Sequence, residues 1–186
     1  MKTPLLTEAE LRHQIWHELQ RATQDRQHEW RTPVLATIGA QGGPQARTVV
    51  LRHSNATLER LTFYTDRRSP KVAELAANSG VTLVFWSKRL GWQLRVQADM
   101  SAQTTGPEVE QAWAQVSQSA AAGDYLSASA PGDALPIAPG MPGIQTSAHH
   151  LAVLTAQVQH IDWLELGRSG HRRAVFGANT WEWRVP

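Results

Sequence analysis

The spacing of apolar residues along the chain changes period twice. Residues 7–23, TEAELRHQIWHELQRAT, carry Leu11, Ile15, Leu19 and Ala22 at helical intervals. Thr7 and Glu10 stand at the spacing of a capping box, so the stretch predicts a helix. From Thr32 the period shortens. TPVLATIGA, ARTVVLRH and RLTFYT read as strands, divided by Gln41-Gly42-Gly43-Pro44 and by Ser54-Asn55-Ala56-Thr57. Connections this short predict antiparallel hairpins, because a parallel pair needs a long crossover.

The pattern then turns helical over SPKVAELAANSG, where Ser69 is a candidate N-cap, Pro70 sits at the first helical position and Gly80 follows the end. VTLVFWS and WQLRVQADM predict a further hairpin around Gly91, and residues 107–118 a helix. Residues 119–148 are rich in Ala, Ser, Gly and Pro and read as a flexible loop. HLAVLTAQVQHIDWLEL predicts a long strand, with RRAVF and TWEWRVP as a closing hairpin. Trp181, Trp183 and Val185 share one face of the last strand. The sum is a mainly β protein with peripheral helices. Its six or seven antiparallel strands are expected to form a closed or nearly closed barrel. We expect one domain over 1–186, with an N-terminal helical segment at 1–30.

Composition narrows the chemistry. The chain contains no cysteine, which removes disulfides, thiolate metal sites and cysteine nucleophiles together. No stretch approaches the eighteen apolar residues of a membrane span, and the start turns polar too early for a signal peptide, so a cytoplasmic location is expected. The net charge is +2 with scattered basic residues, whereas a nucleic-acid surface clusters them. His13 and His17 are spaced i, i+4, but Gln14 stands where a zinc-protease helix needs Glu. A solvated helix face is the better reading, and no metal is expected. The eight tryptophans suit core packing, an aromatic ligand or a subunit interface.

Candidate chemistry gathers around QARTVVLRH. Arg47 and Arg52 flank Val49, Val50 and Leu51 on a predicted strand, and an unpaired guanidinium is costly to desolvate. Downstream come Tyr64-Thr65 and then Ser69-x-Lys71 opening a helix. A helix N-terminus, a hydroxyl, a lysine and an arginine fork together suit a phosphate. Arg47 and Arg52 have opposite parity, so a regular strand points them to opposite faces unless it bulges or ends between them. A surface salt bridge for Arg52 and simple capping for Ser69 are the plainer alternatives.

ARTVVLRH, FYTDRRSPKVAEL and VTLVFWSKRLGWQLRVQADM, followed near the end by IDWLEL, HRRAVF and WEWRVP, resemble the pyridoxamine 5′-phosphate oxidase-like, FMN-binding split-barrel family. The resemblance implies an antiparallel split barrel and an FMN cofactor at the interface of a homodimer. It implies that Arg47, Thr48, Val49, Val50, Leu51 and Arg52 line the flavin, that Tyr64 and Thr65 are the family's cofactor-binding Tyr-Thr pair, and that Ser69 and Lys71 help hold the phosphate. It adds Gln93 on the next hairpin, and Trp163 and Arg173 reaching across from the second subunit. Pro70 stands where some members have arginine, and Ser129-Ala130 replaces a Gln-Ser pair that contacts the cofactor.

The residue types agree with FMN: cations for its phosphate, hydroxyl and amide groups for its ribityl chain, and Val49, Leu51 and Trp163 as apolar walls. The flavin carries the redox chemistry, so no catalytic triad is required. An FMN-dependent oxidoreductase acting on a small molecule leads. A flavin-binding protein without turnover, or one using another cofactor, stays open. The family's true oxidases grip a substrate phosphate with a tyrosine, an arginine and a serine. Alignment puts Ala112, Val116 and Ala120 at those positions. Between Arg95 and Arg168 there is no lysine or arginine. His171 survives from a later substrate motif, with Ser169 at its arginine position. We therefore expect a poor pyridoxine 5′-phosphate oxidase.

Overall fold

The computed structural model describes residues 6–134, 145–168, 170–177 and 180–186. Residues 135–144 of the expected flexible loop, and Ser169, lie outside the described residues. Helix α1 (Glu8–Gln24) starts at a complete capping box: the Thr7 hydroxyl accepts from the Glu10 N–H, and the Glu10 carboxylate accepts from the Thr7 N–H. Its buried side chains are Leu11, Ile15, Trp16, Glu18, Leu19 and Ala22. A 3-10 turn, Glu29–Arg31, leads into β1 (Val34–Ile38).

The stretch expected as one strand across 46–53 is two. β2 (Pro44–Thr48) pairs with β1, and β3 (Leu51–Asn55) pairs with β4 (Arg60–Asp66). The chain turns a corner at Val49-Val50, which lie in neither the β1–β2 nor the β3–β4 ladder, and Val49 and Leu51 on either side of Val50 are 8% and 0% exposed. Helix α2 (Pro70–Ala77), the hairpin β5 (Gly80–Ser87)–β6 (Trp92–Gln103) and helix α3 (Pro107–Val116) follow. The tight β5–β6 turn needs Gly91: its φ is +66°, and a Cβ there would sit 2.9 Å from the Leu166 carbonyl oxygen. A 3-10 segment, Ala120–Tyr125, and a bridge between Ser127 and Gln145 occupy described parts of the 119–148 stretch. β7 (Leu151–Glu165), β8 (Arg172–Gly177) and β9 (Trp181–Arg184) complete the order.

All nine strands of the described residues join one antiparallel sheet, in the order β2-β1-β5-β6-β7-β4-β3, with β8 and β9 branching from β7. The path is not closed by hydrogen bonds; its two ends, β2 and β3, are successive strands joined at the Val49-Val50 corner. β7 is the strand that splits. Its first half pairs with β4 over Leu151–Gln157, its second with β8 over His160–Glu165, and β6 runs along its other side. The β6–β7 register shifts between Gln97 and Ala98, opposite this exchange of partners. An extra residue there bends the strand and increases its twist, which lets it serve two neighbours.

Alternation places the core. Leu35, Leu51, Leu61, Phe63, Leu83, Phe85, Leu94 and Val96 are fully buried inside, closed off by the apolar face of α1 and by Trp30. A second cluster forms outside the sheet, where Val109, Ala112 and Val116 of α3 pack on Tyr125, Leu151 and Val153. Among the described residues, no helix is long and apolar enough to cross a membrane.

Candidate functional site

The expected site residues fall mainly into three groups of side chains. The first lies where β1, β2 and the end of β4 meet α2. Lys71 Nζ donates to the Thr65 hydroxyl at 3.0 Å and to the Ser69 hydroxyl. Ser69 makes no side-chain capping bond, so its hydroxyl is committed to Lys71 rather than to the helix end. Arg47 donates to Thr37 Oγ1 and, at 2.8 Å, to Glu74 Oε2, while the Thr37 hydroxyl donates to the same carboxylate oxygen at 2.6 Å. Burial, and then the Arg47 charge, hold the Lys71 pKa below its ordinary value. An ammonium in that state gains from an added anion. Thr37 and Glu74 were not anticipated; Glu74 sits three residues after Lys71 on α2, the one signal that would have found it.

The second group is built on β3, β4 and the turn before β1. Arg52 sits where the β3–β4 register shifts between Leu51 and His53, on a different strand from Arg47. Its guanidinium lies 5.5 Å from the Tyr64 ring centre, and its Nε is buried with no hydrogen-bond partner among the described residues. The Tyr64 hydroxyl lies 2.9 Å from His53 Nε2. Burial raises the Tyr64 pKa against the Arg52 charge, and burial with Arg52 lowers that of His53. Near neutral pH the pair is therefore an uncharged imidazole and a protonated phenol. Tyr64 and Thr65 alternate on β4, so Arg52 and Tyr64 face away from the Lys71 group. The Lys71 group therefore brings together Arg47, Thr65, Ser69 and Lys71 and leaves Arg52 and Tyr64 apart from them.

The third group is at the far end of the split strand. Arg173 donates a fork to Asp162, at 2.9 and 2.7 Å, and Arg95 lies 3.0 Å from the same carboxylate. Burial alone would raise the Asp162 pKa, but the hydrogen bond and charge of Arg173, with Arg95, lower it. Trp163 pairs with Ala174 in the β7–β8 ladder, and Leu164 pairs with Arg173. Trp163 and Arg173 therefore point to opposite faces of the ribbon. Trp163 is wholly buried, its ring 5.3 Å from that of Trp92, with Arg172 stacked 5.7 Å above it. The walls expected from Val49, Leu51 and Trp163 are likewise core side chains, with exposures of 8%, 0% and 0%.

Thr48 is exposed and Val50 half-buried at the β2–β3 corner; Gln93 is half-buried on the outer face of β6, and His171 is exposed before β8. That outer face is apolar at its β1–β5 side. Val34, Ile38 and Trp86 are 37%, 44% and 45% exposed. Two cavities of about 510 and 380 Å³ open on it and share Thr82 and Gln97. Among the described residues no three His, Asp or Glu side chains gather as a metal site.

An antiparallel sheet that exchanges partners along one strand, with its two edges meeting at a covalent corner, is the FMN-binding split-barrel architecture. The chain belongs to the pyridoxamine 5′-phosphate oxidase-like family: residues 13–104 match the family model described as pyridoxamine 5′-phosphate oxidase, FMN-binding domain. It is 39% identical over 66 residues to a pyridoxine/pyridoxamine 5′-phosphate oxidase of Thermosynechococcus vestitus, covering 36% of this chain and 30% of the relative. It is 37% identical over 84 residues to one of Cupriavidus metallidurans, covering 45% and 38%. These alignments span less than half the length of either relative.

Among solved structures, a pyridoxamine 5′-phosphate oxidase-related, FMN binding protein of Nostoc punctiforme superposes with a TM-score of 0.74 at 20% identity, covering 97% of this chain and 100% of that one. PhzG of Burkholderia lata, solved with tetrahydrophenazine-1-carboxylic acid, gives 0.70 at 16%, covering 99% and 96%. At these identities the likeness is one of fold.

Proposed function

We propose that the protein is a cytoplasmic, single-domain FMN-dependent oxidoreductase of small molecules, working as a homodimer. The observation that carries this reading is the Lys71 group. A partly buried lysine holds the hydroxyls of Thr65 and Ser69, Arg47 adds a guanidinium beside them, and this donor set suits the phosphate of FMN. Lys71, Ser69, Thr65 and Arg47 would hold that phosphate, and the backbone from Thr48 to Leu51 would pass beside the cofactor at the barrel corner. Bound FMN would supply the hydride or electron transfer.

The homodimer is supported by the outer sheet face, where Val34, Ile38 and Trp86 form an apolar patch beside polar Gln93 and Arg95. Such a face is the material of an isologous contact. Arg173 and Gln93 share this face and are the remaining candidates for contacts across it. The substrate differs from pyridoxine 5′-phosphate, because Ala112 and Val116 are 5% and 6% exposed in the second core cluster and offer no cation.

The test is the visible spectrum of the purified, desalted protein, with mass spectrometry of the released chromophore. Flavin bands that yield FMN are expected. A colourless protein that takes up no FMN on reconstitution overturns the reading.

A further inference from the structure

Arg52 remains without a carboxylate after the phosphate group has been accounted for. Its surroundings form a cavity of about 210 Å³, lined by Thr23, Arg31, Arg52, His53, Tyr64 and Gln115, with Val116 and Ser119 at its edge. The lining holds two guanidiniums and no acidic side chain. Among the described residues, neither Arg31 nor Arg52 forms an ion pair, although nine other arginines do. Arg31 is held by the carbonyls of Ala22 and Thr23, at 3.2 and 3.0 Å from one terminal nitrogen, Nη1. Burial, and then the Arg52 charge, lower the pKa of Arg31. Two like charges kept close at the wall of a cavity, one with a buried unpartnered Nε, are stabilised by an anion between them.

The helices decide which anion. The cavity lies at the C-terminal turns of both α1, through Thr23, and α3, through Gln115 and Val116. Each helix C-terminus carries roughly half a negative charge. Against two arginines this leaves about one net positive charge, which balances a monoanion and disfavours a dianion. Guanidinium forks match a carboxylate in shape. A neighbouring cavity of about 190 Å³ shares His53, Tyr64 and Gln115 and adds Thr62, Glu108 and Thr155. It is lined with hydrogen-bonding groups that suit the remainder of a small ligand.

We infer that this cleft is a carboxylate-binding subsite, in which Arg31 and Arg52 grip the acid group of a small organic substrate while the Tyr64–His53 pair faces its body. As a substrate subsite it rests on the oxidoreductase reading; as a binding site it stands without it. Arg31 is the chain's own device here, because it brings a cation from the N-terminal segment to an α3 that has none.

The test is calorimetric titration of the protein, with and without added FMN, using benzoate, phenyl phosphate and benzyl alcohol as probes. Benzoate is expected to bind, phenyl phosphate dianion more weakly, and benzyl alcohol not at all. Arg31→Gln and Arg52→Gln are each expected to weaken benzoate by about tenfold or more, the scale of one charge-assisted contact. Arg31→Gln should keep wild-type FMN affinity. Thermal melts identify a variant that has lost its fold, and either variant alone suffices. Benzoate binding that both folded variants retain, or equal binding of benzyl alcohol, overturns the site; tighter binding of phenyl phosphate than of benzoate overturns the carboxylate assignment. Failure to take up FMN with intact benzoate binding would instead count against the oxidoreductase reading alone.

Discussion

Lys71 Nζ lies 3.0 Å from the Thr65 hydroxyl, and it draws the Ser69 hydroxyl away from capping its own helix. Helix α2 therefore begins without the side-chain cap its sequence offers. A cap is typically worth about 1 kcal/mol, so the arrangement gives up a local contact to assemble two hydroxyls and an ammonium. An anion restores what is lost. Lys71→Ala removes the charge and is expected to weaken FMN by about 1.5–3 kcal/mol, roughly ten- to hundredfold. Titration of the apoprotein by flavin fluorescence quenching reads this directly, and unchanged affinity would show that the phosphate sits elsewhere.

The same lysine makes the apoprotein's stability depend on pH. Its folded pKa is depressed by burial and by Arg47. The cost of its charge in the folded state is thus fully present below the folded pKa. It fades as pH rises through that pKa towards the unfolded value near about 10.4. Lys71→Met keeps the length and removes the charge. Apo Lys71→Met is expected to melt above the wild type at neutral pH, with the gap closing in alkali. Saturating FMN should reverse the order at neutral pH. Melting curves across pH, with and without FMN, check both statements.

Asp162 behaves in the opposite sense. Burial would raise its pKa, yet Arg173 and Arg95 pull it below the usual carboxylate range. Its contribution is complete above the unfolded pKa of about 3.9 and is lost as pH falls through the folded pKa. Asp162→Asn should cost about 1–3 kcal/mol at neutral pH by leaving Arg173 without its carboxylate. It should also flatten the acid limb of the stability curve. Urea denaturation at neutral and acid pH measures both effects.

The outer face of β1 and β5 predicts an assembly phenotype. Trp86 is 45% exposed and Ile38 44%, on a sheet face where alternation would normally place polar residues. Trp86→Glu or Ile38→Glu puts a charge into that patch. Sedimentation equilibrium is expected to give a dimer for the wild type and a shift towards monomer for either variant, with thermal stability falling alongside. A wild-type monomer that still saturates with FMN would remove the interface from the account.

Local signals were legible and non-local ones were not. The capping box of Thr7 and Glu10, Pro70 at the start of α2 and Gly91 in its turn all act over a few residues, and the sequence shows them plainly. The break at Val49-Val50 is different. Two adjacent valines look like strand interior, and only the separate partners β1 and β4 divide them. The family resemblance joins Trp163 and Arg173 at one flavin. Their faces depend on which β8 residue opposes which on β7, a register that the sequence does not display. Arg31 carries no local signal either. Its neighbours in the fold, Arg52 and Gln115, lie 21 and 84 positions away in the chain.

The last prediction concerns pyridoxine 5′-phosphate as a substrate. Its phosphate is a dianion near neutral pH, and a site that grips it needs more than one net positive charge. On α3, Ala112 and Val116 turn into the second core cluster and bring none. Arg31 and Arg52 stand nearby, but the C-terminal ends of α1 and α3 offset about one of their two charges. Lys71 and Arg47 belong to a different group, the one proposed to hold the phosphate of FMN. Two missing charge-assisted contacts at about 1.5–3 kcal/mol each amount to a hundredfold or more in transition-state stabilisation. Steady-state oxidation of pyridoxine 5′-phosphate by the FMN-loaded protein is therefore expected to fall well below a kcat/KM of about 10⁴ M⁻¹s⁻¹. Val116→Arg adds a cation to α3 at the edge of the same cavity. If the missing charge is the cause, that variant should gain affinity for the phosphate ester, read as a lower KM. A wild-type efficiency in the ordinary enzyme range would instead mean that Arg31 and Arg52 hold a dianion unaided, and that the two helix ends offset less than one charge.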